Sequence, residues 1–207
     1  MNIVQTKTYT TIDYNLKEIL RYSGVAKTTP EINNLIESCI QELDGKLSYK
    51  VCYKAFPISS HLTNNNSNTP LLDLGFTTTH STDLIKNLES CNSIILFGAT
   101  IGLEIDRLIA KYSSSSPSRA LILQAIGAER IESLCNAFNK DISTEQQALG
   151  NNTKPRFSPG YGDLDINFQK DIFEALNCSK HIGLTLNESL LMSPSKSVTA
   201  IIGVCPS

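Results

Sequence analysis

The segment 156–165 (RFSPGYGDLD) contains the residues best suited to hold a charged small molecule. Arg156 stands ahead of a Pro-Gly turn, and Tyr161 directly follows Gly160 of that turn. A guanidinium can grip a carboxylate through two parallel hydrogen bonds, glycine lets the backbone approach a ligand, and tyrosine adds a flat ring with a polar end. An amino-acid-like ligand with a carboxylate and an adjacent cation suits this set. The alternative is a surface turn with a solvated arginine and a packed tyrosine.

A second candidate for anion binding is the segment 98–104 (GATIGLE), which lies between a predicted strand and a predicted helix. Backbone N–H groups at the start of a helix can hold an anion. The segment lacks the third glycine of G-x-G-x-x-G and the Lys-Ser/Thr of a P-loop, so it is a poor nucleotide-binding motif. We interpret it as a tight turn from strand to helix, in which small residues allow close packing.

The six cysteines have no spacing that is typical of a metal site, because no two of them form a C-x-x-C pair. They are Cys39, Cys52, Cys91, Cys135, Cys178 and Cys205. Their even number permits a disulfide framework. Most of them, however, stand beside apolar residues in predicted helices or strands, which favours reduced and partly buried thiols.

Composition narrows the class of protein. Hydrophobic residues make up 41% of the 207 residues, enough to bury a core, and the formal net charge is −2. The 18 basic residues are scattered rather than clustered, so we expect no nucleic-acid partner. No apolar run approaches the roughly 20 residues of a membrane span, and the N-terminus does not resemble a signal peptide. We therefore expect a cytoplasmic protein without a membrane partner.

The elements that position these residues are mixed helices and strands. Apolar spacing and capping residues predict helices at 15–23, 30–44, 81–90, 102–112, 117–138 and 166–177. Alternation or continuous apolar runs predict strands at 47–53, 71–77, 93–100 and 197–204, and irregular chain is expected at 59–70 and 141–165. Since no regular βαβ repeat is visible, we predict an α+β fold. Its central, mostly antiparallel twisted sheet, flanked by helices, should include 47–55, 93–99 and 197–204.

Further motifs follow the 156–161 segment in a fixed order. They are Gly183-Leu184-Thr185-Leu186-Asn187-Glu188-Ser189, Met192-Ser193-Pro194 and Ser197-Val198. Together with the Arg-x-x-x-Gly-Tyr pattern at Arg156, Gly160 and Tyr161, this order resembles the activation domain of cobalamin-dependent methionine synthase. The resemblance extends back through FGATIGLEIDRLIAKY and LQAIGAERIESLCNAF, and it matches the first 80 residues only loosely. It implies an activation core over 81–207 and N-terminal helices and first strands over 1–80, within one structural domain.

The resemblance implies a site for S-adenosylmethionine. In this family the signature arginine, matched by Arg156, holds the methionine carboxylate. Gly160 and the backbone of Ser158 are expected to contact the ligand, and Tyr161 to flank it. A family glutamate on the preceding helix aligns with Glu132, which is expected to face the ammonium group; the alternative is a solvated helix glutamate. Longer family members add a tyrosine beyond the position of Ser207, so part of the site is expected either to be missing here or to be supplied by other residues.

The resemblance also implies the chemistry. When the cobalt of the family's cofactor is oxidised to cobalt(II), an electron donor reduces it and S-adenosylmethionine restores the methyl group. Cobalt(I) is the nucleophile and the sulfonium methyl is already activated, so the protein mainly positions two reactants. No catalytic residue is expected, and His61, His80 and His181 need no catalytic role.

No Asp-x-His-x-x-Gly cobalamin motif occurs in the 207 residues, so cobalamin is expected to come from a partner protein. That partner is expected to be a corrinoid-bearing methionine synthase that lacks its own activation domain, with a flavodoxin-like electron donor. Two alternatives are reactivation of another corrinoid methyltransferase and a non-catalytic module that binds S-adenosylmethionine or a partner.

Overall fold

The computed structural model describes residues 3–61 and 71–207. The helices are α1 (Leu16–Ser23), α2 (Pro30–Leu43), α3 (Thr82–Asn87), α4 (Glu104–Ser115), α5 (Pro117–Ala148), α6 (Gln169–Leu176) and α7 (Cys178–Ile182). The strands are β1 (Gln5–Tyr9), β2 (Tyr49–Pro57), β3 (Ser59–His61), β4 (Leu71–Asp73), β5 (Thr78–Thr79), β6 (Ser93–Thr100), β7 (Asn151–Thr153), β8 (Thr185–Leu186), β9 (Met192–Ser193) and β10 (Ser197–Pro206). A 3-10 turn at Ile166–Phe168 leads into α6.

The main sheet has the strand order β1-β2-β6-β10-β7, and every neighbouring pair in it is antiparallel. Strand β6 lies at its centre, where both faces are covered, which explains its continuous apolar run. The three strands predicted to share a sheet are its three central neighbours, so the prediction of an α+β fold with a central antiparallel sheet is confirmed. Two small antiparallel sheets, β3-β4-β5 and β8-β9, lie outside it.

Each face of the main sheet has its own hydrophobic core. Phe97 points to the core formed with α1, α2, α4 and α5, where its ring lies 4.9 Å from that of Phe138 on the long helix, centroid to centroid. Leu96 points the other way, to the core formed with α3, α6 and α7, which includes Ile172. This division follows from the alternation of side chains along a strand. The sheet therefore separates α5 on one face from α6 on the other.

Capping residues begin the helices where the sequence predicts. Thr29 accepts a hydrogen bond from the Ile32 N–H at the start of α2, and Pro30 takes the first helical position. Ser81 accepts from the Leu84 N–H at the start of α3. Gly24 ends α1 in the left-handed conformation with φ 71°. These predictions are therefore confirmed. They could be made from the sequence because capping depends only on neighbouring residues.

Residues 141–148 belong to helix α5, so the prediction that this helix ends near Phe138 and is followed by irregular chain was wrong. Ile142 is buried in the core on this side of the sheet. The carboxylate of Asp141 accepts a hydrogen bond from Tyr9 Oη at 2.7 Å. Both contacts depend on β1 and the sheet, which are remote in sequence, so the local pattern did not show them.

Strand β1 was not predicted, because it is an edge strand whose side chains are mostly exposed and therefore show no apolar alternation. The predicted strand at 71–77 is shortened to β4. The predicted loop at 59–70 begins with β3, and residues 62–70 lie outside the described residues. The helix predicted at 102–112 continues to Ser115, so only Ser116 lies between α4 and α5.

A buried arginine of α5, paired with its neighbour on the same helix, holds the N-terminal segment against that helix. Arg130 is fully buried, and its Nε donates to the carboxylate of Glu129 at 2.6 Å. Its Nη1 and Nη2 atoms donate to the backbone carbonyls of Ile12 and Asp13, each at 2.5 Å. Its guanidinium also lies 3.8 Å from the ring centroid of Tyr14. These contacts hold the segment between β1 and α1 against the long helix.

Candidate functional site

A cavity of about 590 Å³ lies between α5, α6 and the start of β10. It is lined by Glu132, Asn139, residues 155–159, Tyr161, Gln169, Met192 and residues 197–199. Its volume falls within the roughly 300–1,000 Å³ of small-molecule sites. Four of the five residues predicted to contact a ligand, Glu132, Arg156, Ser158 and Tyr161, lie in this lining, and Gly160 lies in the turn between the last two.

Arg156 is held in the cavity wall by one face of α5. Its Nη2 donates to Glu132 Oε2 at 2.5 Å, and its Nη1 donates to Asn136 Oδ1 at 2.8 Å. The side-chain amide of Asn139 is oriented so that its oxygen accepts a hydrogen bond from Arg156 Nη1 at 3.0 Å and its nitrogen donates to the Cys135 carbonyl at 3.3 Å. Residues 132, 136 and 139 share a helix face because the spacings are four and three. The guanidinium therefore has a fixed position, with 22% of the side chain exposed.

This pairing places a positive and a negative group side by side at the cavity. An α-amino acid carries the complementary pair, a carboxylate and an ammonium group. Charge-assisted hydrogen bonds of this kind are short and directional. The arrangement is therefore complementary in charge to the amino-acid end of a ligand.

A short bridge to β10 sets the direction of the residues around Arg156. The N–H of Phe157 donates to the Ile201 carbonyl at 2.8 Å, and the Ile201 N–H donates to the Phe157 carbonyl at 2.8 Å. Phe157 packs against the core beneath α6. Because adjacent residues of an extended chain point in opposite directions, Arg156 and Ser158 are directed away from that core.

Gly160 shapes the turn that carries Tyr161. It has φ 88°, a conformation that L side chains rarely adopt, and its N–H donates to the Leu164 carbonyl at 2.8 Å. The Tyr161 N–H donates to the Ser158 carbonyl at 3.2 Å, which closes the turn. Since the Gly160 N–H is engaged within the loop, the contribution of this glycine is the shape of the turn. Tyr161 lies at the rim of the cavity with 70% of its surface exposed.

Asp163 anchors this loop to the start of α3. Its carboxylate accepts hydrogen bonds from Ser81 Oγ, from the Thr82 N–H at 2.7 Å, from Thr82 Oγ1 at 2.6 Å and from the Asp83 N–H at 3.2 Å. These bonds, that from Ser81 foremost, hold the pKa of the Asp163 carboxyl well below its ordinary value. Asp163 was not predicted as a site residue, because its hydrogen-bond partners lie about 80 residues earlier in the chain.

Replacing Asp163 with asparagine should make the stability of the protein less dependent on acidity. A carboxyl whose pKa is lowered by folding stabilises the protein above its ordinary pKa of 3.8, and this stabilisation is lost as the pH falls. Wild type should therefore lose thermal stability more steeply than the variant between about pH 5 and pH 2. Thermal midpoints measured across this range check the prediction, and parallel curves for the two proteins would contradict it.

The remaining candidates of the sequence analysis lie elsewhere. Segment 98–104 forms the turn from β6 to α4, and Gly102 within it has φ 85°, in agreement with its interpretation as a tight turn. All six cysteines are free, and burial raises the pKa of the Cys135 thiol to about 12.

Over residues 3–61 and 71–207, no three histidine, cysteine, aspartate or glutamate side chains are grouped as metal ligands. None of the helices in those ranges is long and apolar enough to cross a membrane.

Two polar residues of the cavity were not predicted from the sequence: Gln169 at the start of α6 and Thr199 on β10. A weak signal was available for Thr199, because it directly follows the Ser197-Val198 motif. Gln169 lies in a predicted amphipathic helix and had no feature to distinguish it from a surface residue. Only the packing of α6 beside β10 brings it to the cavity.

An antiparallel sheet with helices on both faces and a ligand-sized cavity beside its fourth strand defines an α+β domain with a small-molecule site. The chain belongs to the family described as the activation domain of vitamin B12 dependent methionine synthase, whose family model matches residues 75–207. No curated protein matches the chain. Among solved structures, the MetH reactivation domain bound to AdoHcy is similar, with a TM-score of 0.62 and 16% sequence identity. The alignment covers 99% of this chain and 79% of that chain, and at this identity it shows the shared fold.

Proposed function

We propose that this chain is an S-adenosylmethionine-binding activation subunit, which supports the reductive remethylation of cob(II)alamin on a partner cobalamin-dependent methionine synthase. The observation that carries the proposal is the pair of Arg156 and Glu132 in the cavity wall, within the region that matches the family. The structure of the MetH reactivation domain bound to AdoHcy adds support, because AdoHcy is what S-adenosylmethionine becomes when its methyl group is transferred.

In this proposal the amino-acid half of S-adenosylmethionine binds at the charged end of the cavity. Arg156 holds the carboxylate of the ligand, and Glu132 holds its ammonium group. These contacts replace part of the ion pair between Arg156 and Glu132. The backbone of Ser158 lies beside this half, and Gly160 gives the turn its shape. Tyr161 flanks the ligand at the rim, where its exposed ring can turn toward the methyl donor or the approaching partner.

The reaction needs an electron before the methyl transfer. The donor, proposed to be flavodoxin-like, reduces cobalt(II) to cobalt(I). The cobalt(I) electron pair then forms the bond to the methyl carbon, the carbon–sulfur bond breaks, and AdoHcy leaves with the electron pair of that broken bond. Because nucleophile and methyl group are both reactive, the chain contributes position and supplies no acid, base or nucleophile.

The partner supplies the cobalamin. We propose that it is a corrinoid-bearing methionine synthase without an activation domain of its own and that both proteins act in the cytoplasm. Reactivation of another corrinoid methyltransferase would use the same site and differ only in the docking surface.

An absorbance time course tests this function. With a cobalt(II)-loaded partner synthase, a reductant and S-adenosylmethionine, addition of this chain should convert the cobalt(II) spectrum to that of methylcobalamin, at a rate that saturates with its concentration. Tyr161→Ala should slow this conversion and leave docking of the partner nearly unchanged. Tyr22→Ala is a matched control, because Tyr22 is also partly exposed but lies on α1. Methylation at the same rate without this chain would overturn the proposal and leave a non-catalytic binding module.

A further inference from the structure

Two buried oxygen atoms in the cavity wall have no hydrogen-bond partner in the protein: Gln169 Oε1 and Thr199 Oγ1. Gln169 is 6% exposed and Thr199 is 2% exposed. Buried polar atoms are normally paired, and an unpaired one destabilises the folded state. The neighbouring hydroxyl of Ser197 shows the normal situation, because it lies 2.9 Å from Thr100 Oγ1 and 2.8 Å from the Pro194 carbonyl. The two unpaired atoms therefore need a partner from outside the chain.

The backbone of Thr199 faces the same cavity. On the side away from β6, β10 pairs with β7 only at residues 204–206 and with Phe157 at Ile201. No strand among the described ranges 3–61 and 71–207 pairs with residues 197–200 on that side. In an antiparallel strand, alternate residues direct their N–H and C=O groups to the same side. Thr199 therefore directs both groups, like those of Ile201, toward the open edge at the cavity.

The polar groups of Gln169 and Thr199 differ in chemistry from the charged pair of Arg156 and Glu132. The amide, the hydroxyl and the backbone peptide are neutral, and they complement neutral N–H and O–H groups. A glutamine amide matches the amino edge of adenine in particular. The apolar residues Phe157, Met192 and Val198 belong to the same lining, and an apolar wall suits a flat heterocycle. A nucleoside offers this combination of a flat ring, an amino group and hydroxyls.

We infer that Gln169 and Thr199 bind the nucleoside half of the ligand, with their side-chain oxygens paired to its neutral N–H and O–H groups. The inference rests on the proposed function, since the ligand it completes is S-adenosylmethionine. It assigns the two halves of the ligand to different walls of the cavity. Arg156 and Glu132 select the amino acid, and the start of α6 with the open edge of β10 selects the nucleoside.

Titration calorimetry with two ligands tests this assignment. AdoHcy carries both halves, whereas 5′-methylthioadenosine carries only the nucleoside half. Gln169→Met and Thr199→Val, which remove the oxygens and nearly preserve volume, should each weaken both ligands by about 5- to 10-fold. Arg156→Ala should weaken AdoHcy and leave 5′-methylthioadenosine unchanged. The ligand-free Thr199→Val protein should melt at the same temperature as wild type or higher, because an unpaired buried oxygen has been removed.

Thr79→Val is the matched control, because Thr79 is buried outside the cavity and its Oγ1 accepts from the Ser81 N–H at 3.1 Å. It should lower the melting temperature and leave both affinities unchanged. If wild type binds AdoHcy and both variants, Gln169→Met and Thr199→Val, bind it with the same affinity as wild type, this inference is overturned and the proposed function is not. If these two variants bind AdoHcy more weakly than wild type but bind 5′-methylthioadenosine equally well, the two oxygens contact the amino-acid half, and the nucleoside assignment is refuted. Wild type that binds neither ligand would overturn the proposed function and this inference with it.

Discussion

Replacing Arg156 with alanine should weaken the binding of S-adenosylmethionine by about 1.5–3 kcal/mol, which is about 10- to 150-fold in the dissociation constant. The guanidinium is fixed by Glu132, Asn136 and Asn139, so it is oriented before a carboxylate arrives. The variant loses the charged hydrogen bonds to that carboxylate. It also leaves Glu132 without its cation in the cavity wall. Titration calorimetry on wild type and variant measures the difference.

Arg119→Ala is the control for a general effect of removing an arginine. Arg119 is about as little exposed as Arg156 and pairs with Glu42 at 3.1 Å, and it lies on α5, the helix whose side chains hold Arg156. Because it does not line the cavity, its removal should leave the affinity unchanged. Equal affinities for wild type and Arg156→Ala, or no binding by wild type at saturating ligand, would exclude Arg156 from the site.

Replacing Arg130 with methionine should lower the free energy of unfolding by about 3–5 kcal/mol. The change leaves the carboxylate of Glu129 buried without its cation, and it removes the donors to the carbonyls of Ile12 and Asp13. Glu129 also accepts a hydrogen bond from the Asn15 N–H at 3.2 Å, so an intact carboxylate matters for the start of α1. Urea denaturation followed by circular dichroism measures the loss.

The double variant Glu129→Gln/Arg130→Met separates charge from packing. If the uncompensated charge causes most of the loss, the double variant should recover part of the stability of the single variant. A single variant as stable as wild type would show that this ion pair does not hold the N-terminal segment.

The same denaturation curve tests the domain organisation. We propose that residues 1–207 form one structural domain, because β1 and β2 pair into the sheet that contains β6 and β10, and α1 packs on α5. One cooperative transition is expected for such a unit. Two separate transitions, one assigned to 1–80 and one to 81–207, would refute this organisation.

Local features of the fold were predictable because they depend on neighbouring residues. Thr29 with Pro30 and Ser81 are capping sequences, and the apolar run at 93–100 needs burial on both faces. Features that depend on distant partners were not predictable. The last turns of α5 are helical because Ile142 and Asp141 meet the core and β1.

For the candidate site, the order of residues in the chain is enough to fix the chemistry of the 156–161 segment. The Pro-Gly turn, the arginine ahead of it and the tyrosine after it are set by chain order, and this order carried the resemblance to the family. The tertiary structure alone decided what surrounds that segment. It pairs Arg156 with Glu132 across to α5, anchors the loop through Asp163, and brings Gln169 and Thr199 into one cavity. These residues meet because helices cover opposite faces of the sheet and β10 has an open edge between them, an arrangement set by burial rather than by local pattern.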